Sequence, residues 1–142
     1  MKLSLRTTVS AASTLALVAS GLLFASGTAS AATSCYASSC TGLDPSTTIC
    51  QNDAKTVDYT APDGDAELRY SPTCRAAWAR AIAGGGRVPA TIQIENTNHE
   101  TFTALNTGDH TVYTRMVNDK DIQARASFHY ANNTQYGYSG WY

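Results

Sequence analysis

All four cysteines of this 142-residue chain (Cys35, Cys40, Cys50 and Cys74) fall in one stretch, behind an N-terminal segment patterned like an export signal. Met1–Arg6 carries two cations, Lys2 and Arg6, and no acid. An apolar run follows, densest from Leu15 to Ala25. It is shorter than the roughly 20 apolar residues a transmembrane helix needs. Ala29-Ser30-Ala31 fits the small-x-small rule of signal peptidase. Residues 1–31 are therefore expected to be a signal peptide, and residues 32–142 a single exported domain. The cleavage point has no cysteine and the leader has no paired arginines, so general export to the medium is expected.

An even set of cysteines in an exported chain predicts two disulfides. Zinc is the rival reading, but the C-x4-C, C-x9-C and C-x23-C spacings do not make the short knuckles of structural zinc sites. Three pairings are possible. Loop entropy gives roughly 2 to 4 kcal/mol per bridge for any of them, so it does not choose. Cys35 with Cys40 closes a local loop, and Cys50 with Cys74 ties the N-terminal loop region to a helix; this pairing is preferred, and the others stay open. Residues 35–50 are rich in Ser, Thr, Gly and Asp. Such a stretch cannot order itself by burial alone.

One helix is predicted after Ser71. Ser71 is a candidate N-cap and Pro72 takes the first helical position. Cys74, Ala77, Trp78, Ala81 and Ile82 then follow at helical spacing, and Gly84-Gly85-Gly86 stops the run. Elsewhere apolar residues alternate. Leu68 and Tyr70, Val88 to Ile94, Phe102 and Ala104, Val112 to Met116, and Ile122 to Tyr130 read as strands with one buried face. Asn- and Asp-rich turns separate them at short intervals, which implies antiparallel neighbours. The expected fold is α+β and mainly antiparallel: one curled or partly closed sheet, one short helix and a disulfide-braced N-terminal region.

Without the leader, eight basic residues face eleven acids. Nucleic-acid binders usually carry a basic excess, so a nucleic-acid partner is not expected. No phosphate loop, dinucleotide fingerprint or nucleophile context is present, and no cofactor or metal site is assigned. Asp63-Gly64-Asp65-Ala66-Glu67 clusters three carboxylates, but an entry turn explains them and calcium-loop spacing is absent. His99, His110 and His129 are the histidines. Asn106-Thr107-Gly108-Asp109-His110 resembles the Asp-His step of small microbial ribonucleases, and it is also ordinary turn chemistry. A small secreted hydrolase using His110 or His99 with Glu95 or Glu100 is thus the alternative function.

The C-terminus is aromatic, with Tyr136, Tyr138, Trp141 and Tyr142 set among Asn, Gln, Gly and Ser. The simplest reading is a last strand whose Tyr136 and Tyr138 share one face and complete the core. The functional reading makes Tyr136, Tyr138, Trp141 and Tyr142 a binding surface for an extracellular protein, a glycan or the cell envelope. On that reading the protein is a non-enzymatic extracellular module that has no membrane contact after cleavage.

Two segments carry a family likeness. The first runs from Cys35-Tyr36-Ala37-Ser38-Ser39-Cys40 through Asp44-Pro45, Cys50, Asp53 and Val57. The second is Arg69-Tyr70-Ser71-Pro72-Thr73-Cys74-Arg75-Ala76-Ala77-Trp78. Together they resemble the YjfA-like family of small exported proteins from actinobacteria and bacilli, over roughly residues 35–94. Six arginines against two lysines after the leader suit an actinobacterial source. The resemblance implies no activity and no catalytic residues. Arg69 and Arg75 read as partners of Asp44, Asp53 or Glu67 in a structural ion-pair set.

Overall fold

The computed structural model describes residues 31–84, 88–131 and 136–142. The predicted signal segment up to Ser30, and Gly85-Gly86 of the predicted helix stop, lie outside the described residues. From Ala31 onward the chain is one compact unit.

Among the described residues, nine strands form two antiparallel sheets. The first sheet holds β1 (Lys55–Tyr59), β2 (Glu67–Ser71), β3 (Ala76–Ala81), β6 (Val112–Tyr113) and β7 (Val117–Asn118). Its order is β1-β2-β3-β6, and β7 also pairs with β3. The second sheet holds β4 (Ala90–Asn96), β5 (Thr101–Asn106), β8 (Ala124–Tyr130) and β9 (Tyr136–Tyr138), in the order β5-β4-β8-β9. The inner faces pack together. Leu68, Ala77, Ala79 and Ala81 of the first sheet meet Ile92, Ile94, Ala126 and Phe128 of the second in one buried cluster. The expected single curled sheet is therefore two open sheets in face-to-face contact. Short connections predicted neighbours correctly for β4 and β5, but the links after β3, β5 and β7 pass from one sheet to the other. Turn composition carries no mark of such a crossing.

The predicted helix is the larger correction. Residues 76–81 are strand β3, and residues 72–75 are the turn that leads into it from β2. The cap signals are real but local. Ser71 Oγ accepts from the Cys74 amide at 3.2 Å, and the Arg75 amide donates to the Ser71 carbonyl at 2.8 Å. One helical-type turn forms and stops at Arg75, whose φ is +51°. β3 then lies at the centre of its sheet with both faces covered. Ala77 and Ala79 face the other sheet, while Ala76 and Trp78 face the N-terminal region. A strand buried on both sides has no period-2 pattern, and its alanines read as helix. Among the described residues, the helices are three short 3-10 turns, Ala37–Cys40, Pro45–Thr47 and Ile49–Asn52.

Those turns form the cap over the outer face of the first sheet. Cys35 bonds to Cys40 and Cys50 to Cys74. The two bridges touch, with Cys35 Sγ 3.4 Å from Cys50 Sγ. Cys40, Cys50, Cys74, Trp78 and Met116 make a second buried cluster. Asp44 caps the second turn by accepting from the Ser46 amide at 2.9 Å. Asp53 accepts from Ser71 Oγ at 2.6 Å and from the Thr73 amide at 2.8 Å, which clamps the cap to the β2–β3 turn. Burial works to raise the Asp53 carboxyl, but these bonds outweigh it and hold the group below its ordinary value. Among the described residues, no helix is long and apolar enough to cross a membrane.

Candidate functional site

The second sheet has one covered face and one open face. Along β4 the inner residues are Ala90, Ile92 and Ile94, and the outer ones are Thr91, Gln93 and Glu95. Along β8 the outer residues are Arg125, Ser127 and His129. Antiparallel register turns these alternations into rows. Thr91, His129 and Tyr136 stand side by side across three strands. Gln93, Ser127 and Tyr138 form the next row, and Glu95 faces Arg125 in the third.

The rings on this face stack on one another. His129 lies 4.3 Å from Tyr136 between centroids, with planes 11° apart. Tyr136 and Tyr138 follow at 6.4 Å and 15°. The Arg125 guanidinium then sits 4.6 Å from the Tyr138 ring centroid and 4.4 Å from that of Trp141. Such a cation between two rings contributes about 0.5–2 kcal/mol per contact. Its Nε donates to Glu95 Oε1 at 2.6 Å, which ties the guanidinium to β4. The result is a ladder from His129 to Trp141 beside an open trough of about 420 Å³ lined largely by Thr91, Gln93, Ser127 and the tyrosines. Tyr136 and Tyr138 remain about half exposed, at 53% and 44%.

The core-completing reading of Tyr136 and Tyr138 is thereby overturned. In β9 the inward position belongs to Gly137, and the two tyrosines flank it outward. Trp141 joins the ladder through Arg125. Tyr142 does not. Its backbone exchanges bonds with Ala124 at 3.0 and 3.1 Å, and its ring meets Tyr70 at 5.1 Å. The alternation sets Arg125, Glu95 and His129 opposite the apolar positions of their strands, but the predicted binding surface does not include them. Their signal was present: they are the polar half of two period-2 strands.

The histidine–carboxylate pairs of the hydrolase reading are not assembled among the described residues. Glu95 is engaged by Arg125. Glu100 accepts from Asn96 Nδ2 at 2.6 Å, from the Asn118 amide at 3.0 Å and from Thr41 Oγ1 at 3.2 Å, so it holds loops together. His99 occupies a turn with φ +64°, and His110 is exposed after the Gly108 turn. The acidic run of the candidate calcium site is also dispersed. Asp65 accepts from the Tyr130 hydroxyl, and Glu67 accepts from Arg80. Arg75 pairs with Asp121, not with the acids expected from the sequence, while Arg69 lies 3.8 Å from Glu67. The four cysteine sulfurs lie within 4.8 Å of one another, close enough for a metal, but each is already bonded to its disulfide partner.

The geometry defines a disulfide-braced domain of two antiparallel sheets with one decorated open face. The chain belongs to the family of proteins of unknown function designated DUF2690, whose model matches residues 38–128. That span takes in the second buried cluster, all of the first but Tyr130, and most of the trough, and it ends before β9 and the aromatic tail. No curated protein and no solved structure matches the chain.

Proposed function

We propose that the protein is a secreted, non-enzymatic module that binds a glycan on the open face of its second sheet. The observation that carries this reading is the ring ladder His129–Tyr136–Tyr138–Arg125–Trp141 beside a polar trough. Sugars present hydroxyls in many directions and C–H faces between them. The trough offers donors and acceptors from Thr91, Gln93 and Ser127, with partly exposed phenol rings alongside. The side chains are held in rows by sheet register and by the Glu95–Arg125 pair, so little ordering remains to be done on binding. A protein partner is a weaker fit, because hot-spot clusters at protein interfaces are dry and fully packed, whereas this trough is open and polar.

Secretion is supported by the export-like leader and by the two disulfides. The resemblance to YjfA-like exported proteins of actinobacteria and bacilli agrees with it. The cell-envelope polysaccharide of a producing bacterium is then the nearest glycan. The test is co-sedimentation of the purified protein with insoluble cell-wall polysaccharide. The native protein is expected in the pellet, and Tyr136→Ala/Tyr138→Ala is expected to lose about tenfold or more in affinity. Equal sedimentation of native and variant proteins sinks the proposal.

A further inference from the structure

A second concave site lies on the outer face of the first sheet, under the cap. The β2–β3 register sets Arg69 beside Trp78 and Glu67 beside Arg80. Arg69 Nη1 donates to Thr56 Oγ1 at 2.7 Å and Nη2 to the Ala54 carbonyl at 2.9 Å. These bonds fix the guanidinium and leave its buried Nε without an acceptor. Trp78 is 2% exposed, and its Nε1 also lacks an acceptor. A buried donor left unpaired is destabilising, so two on adjacent residues call for a reason. Both residues line one cavity of about 160 Å³, which Arg80 borders as well.

The charge around this cavity does not balance. Glu67 accepts from Arg80 Nε at 3.0 Å and Nη2 at 2.6 Å, and it lies 3.8 Å from Arg69. Two guanidinium groups thus share one carboxylate. Burial first, and the nearby Arg80 charge second, hold Arg69 below its ordinary pKa. Ser46 and Gln51 add polar groups to the lining, and apolar or aromatic walls come from Pro45, Ala54, Tyr113 and the Trp78 indole. A bare inorganic anion would leave those walls unfilled.

We propose that this cavity binds a small organic carboxylate. Its oxygens accept from Arg69 Nε and Trp78 Nε1, Arg69 and Arg80 with their single shared carboxylate leave the excess positive charge, and its carbon body packs on Pro45, Ala54 and Tyr113. The site is independent of the ring ladder, which lies on the other sheet.

The test follows the indole N–H signals of the ¹⁵N-labelled protein by NMR. Trp78 and Trp141 give two signals, and Trp141→Phe assigns them. Sodium acetate is the probe; sodium chloride and sodium sulfate at equal ionic strength are the controls. Acetate is expected to move the Trp78 signal saturably and chloride is not. Arg69→Lys keeps the charge but loses the planar fork, and it should weaken acetate by about tenfold or more. If that variant does not fold, Arg80→Lys serves, with a several-fold weakening expected. An unmoved Trp78 signal, sulfate as effective as acetate, or unchanged affinity in the folded variant overturns the proposal.

Discussion

Gly137 stands directly across the second sheet from Phe128, and the Phe128 ring fills the space into which any side chain at 137 would project. The Ala61 carbonyl oxygen closes the other side, 2.5 Å from where a Cβ would lie. The glycine is thus required by packing, with no left-handed backbone involved. It lets β9 lie flat on the core edge and turns Tyr136 and Tyr138 outward. Gly137→Ala is expected to destabilise the protein by about 1–3 kcal/mol through overpacking. The check is thermal unfolding followed by tyrosine absorbance, and an unchanged melting temperature contradicts it.

The two disulfides differ in access. Cys35 is partly exposed, while Cys40, Cys50 and Cys74 are fully buried. An external thiolate therefore reaches Cys35 first. Under limiting reductant, alkylating label should appear on Cys35 and Cys40 before Cys50 and Cys74, as read by peptide mass spectrometry. Full reduction should lower the melting temperature, since loss of a native bridge in a small domain typically removes about 2–5 kcal/mol. Simultaneous labelling of all four, or equal melting with and without reductant, counts against this account.

Among the described residues, Asp119 is the carboxyl whose burial sets a pH dependence near neutrality. Desolvation raises it, Arg75 opposes, and it stands at about 7. Its Oδ1 is buried without a hydrogen-bond partner. Tyr70 and Asp121 line the same hollow. The folded state holds the proton up to about pH 7, whereas the unfolded chain releases it near the ordinary value of 3.8. Between those values the folded state binds more protons, so this group makes stability fall as pH rises, and its effect levels off above 7. The size is on the order of 1–4 kcal/mol. Denaturant melts from pH 4 to 8 should show this slope in the native protein and lose it in Asp119→Asn. Parallel profiles for the two proteins would contradict the assignment.

Arg125 ties the chain terminus to the sheet by its place between Tyr138 and Trp141. Arg125→Ala should release Trp141, moving its ring-proton shifts toward those of free tryptophan, at a cost of about 0.5–2 kcal/mol per lost contact. Arg125→Lys should fall between, because an ammonium lacks the flat face that stacks on rings. Unaltered Trp141 shifts in Arg125→Ala would show that the ring is held by something else.

Strand positions with one covered face were legible from alternation alone. Ile92 and Ile94, and Ala124, Ala126 and Phe128, fall inward as their period demands. So did the turn at Asp44-Pro45, where a side-chain acceptor and a fixed φ act within a few residues. β3 was illegible because its environment comes from two distant segments, the cap at 35–54 and the second sheet. Trp78 and Ala77 face opposite sides of one strand and are both buried, which erases the alternating signal. The open-face site was half legible. Tyr136, Tyr138 and Trp141 stood out as rings, but Arg125, Glu95 and His129 became partners only through cross-strand register.

Local chemistry, written in the order of residues, determined where most strands run, where turns fall and that the cysteines serve as cross-links. These depend on contacts a few residues apart or on composition. Only the tertiary structure decided which sheet each strand joins and that β3 is a strand. It also decided that Gly137 turns the tyrosines outward and that Arg69 and Trp78 share one cavity. Each of these is set by a neighbour far away in sequence, and burial by such a neighbour outweighs the weak local propensities that a linear reading can weigh.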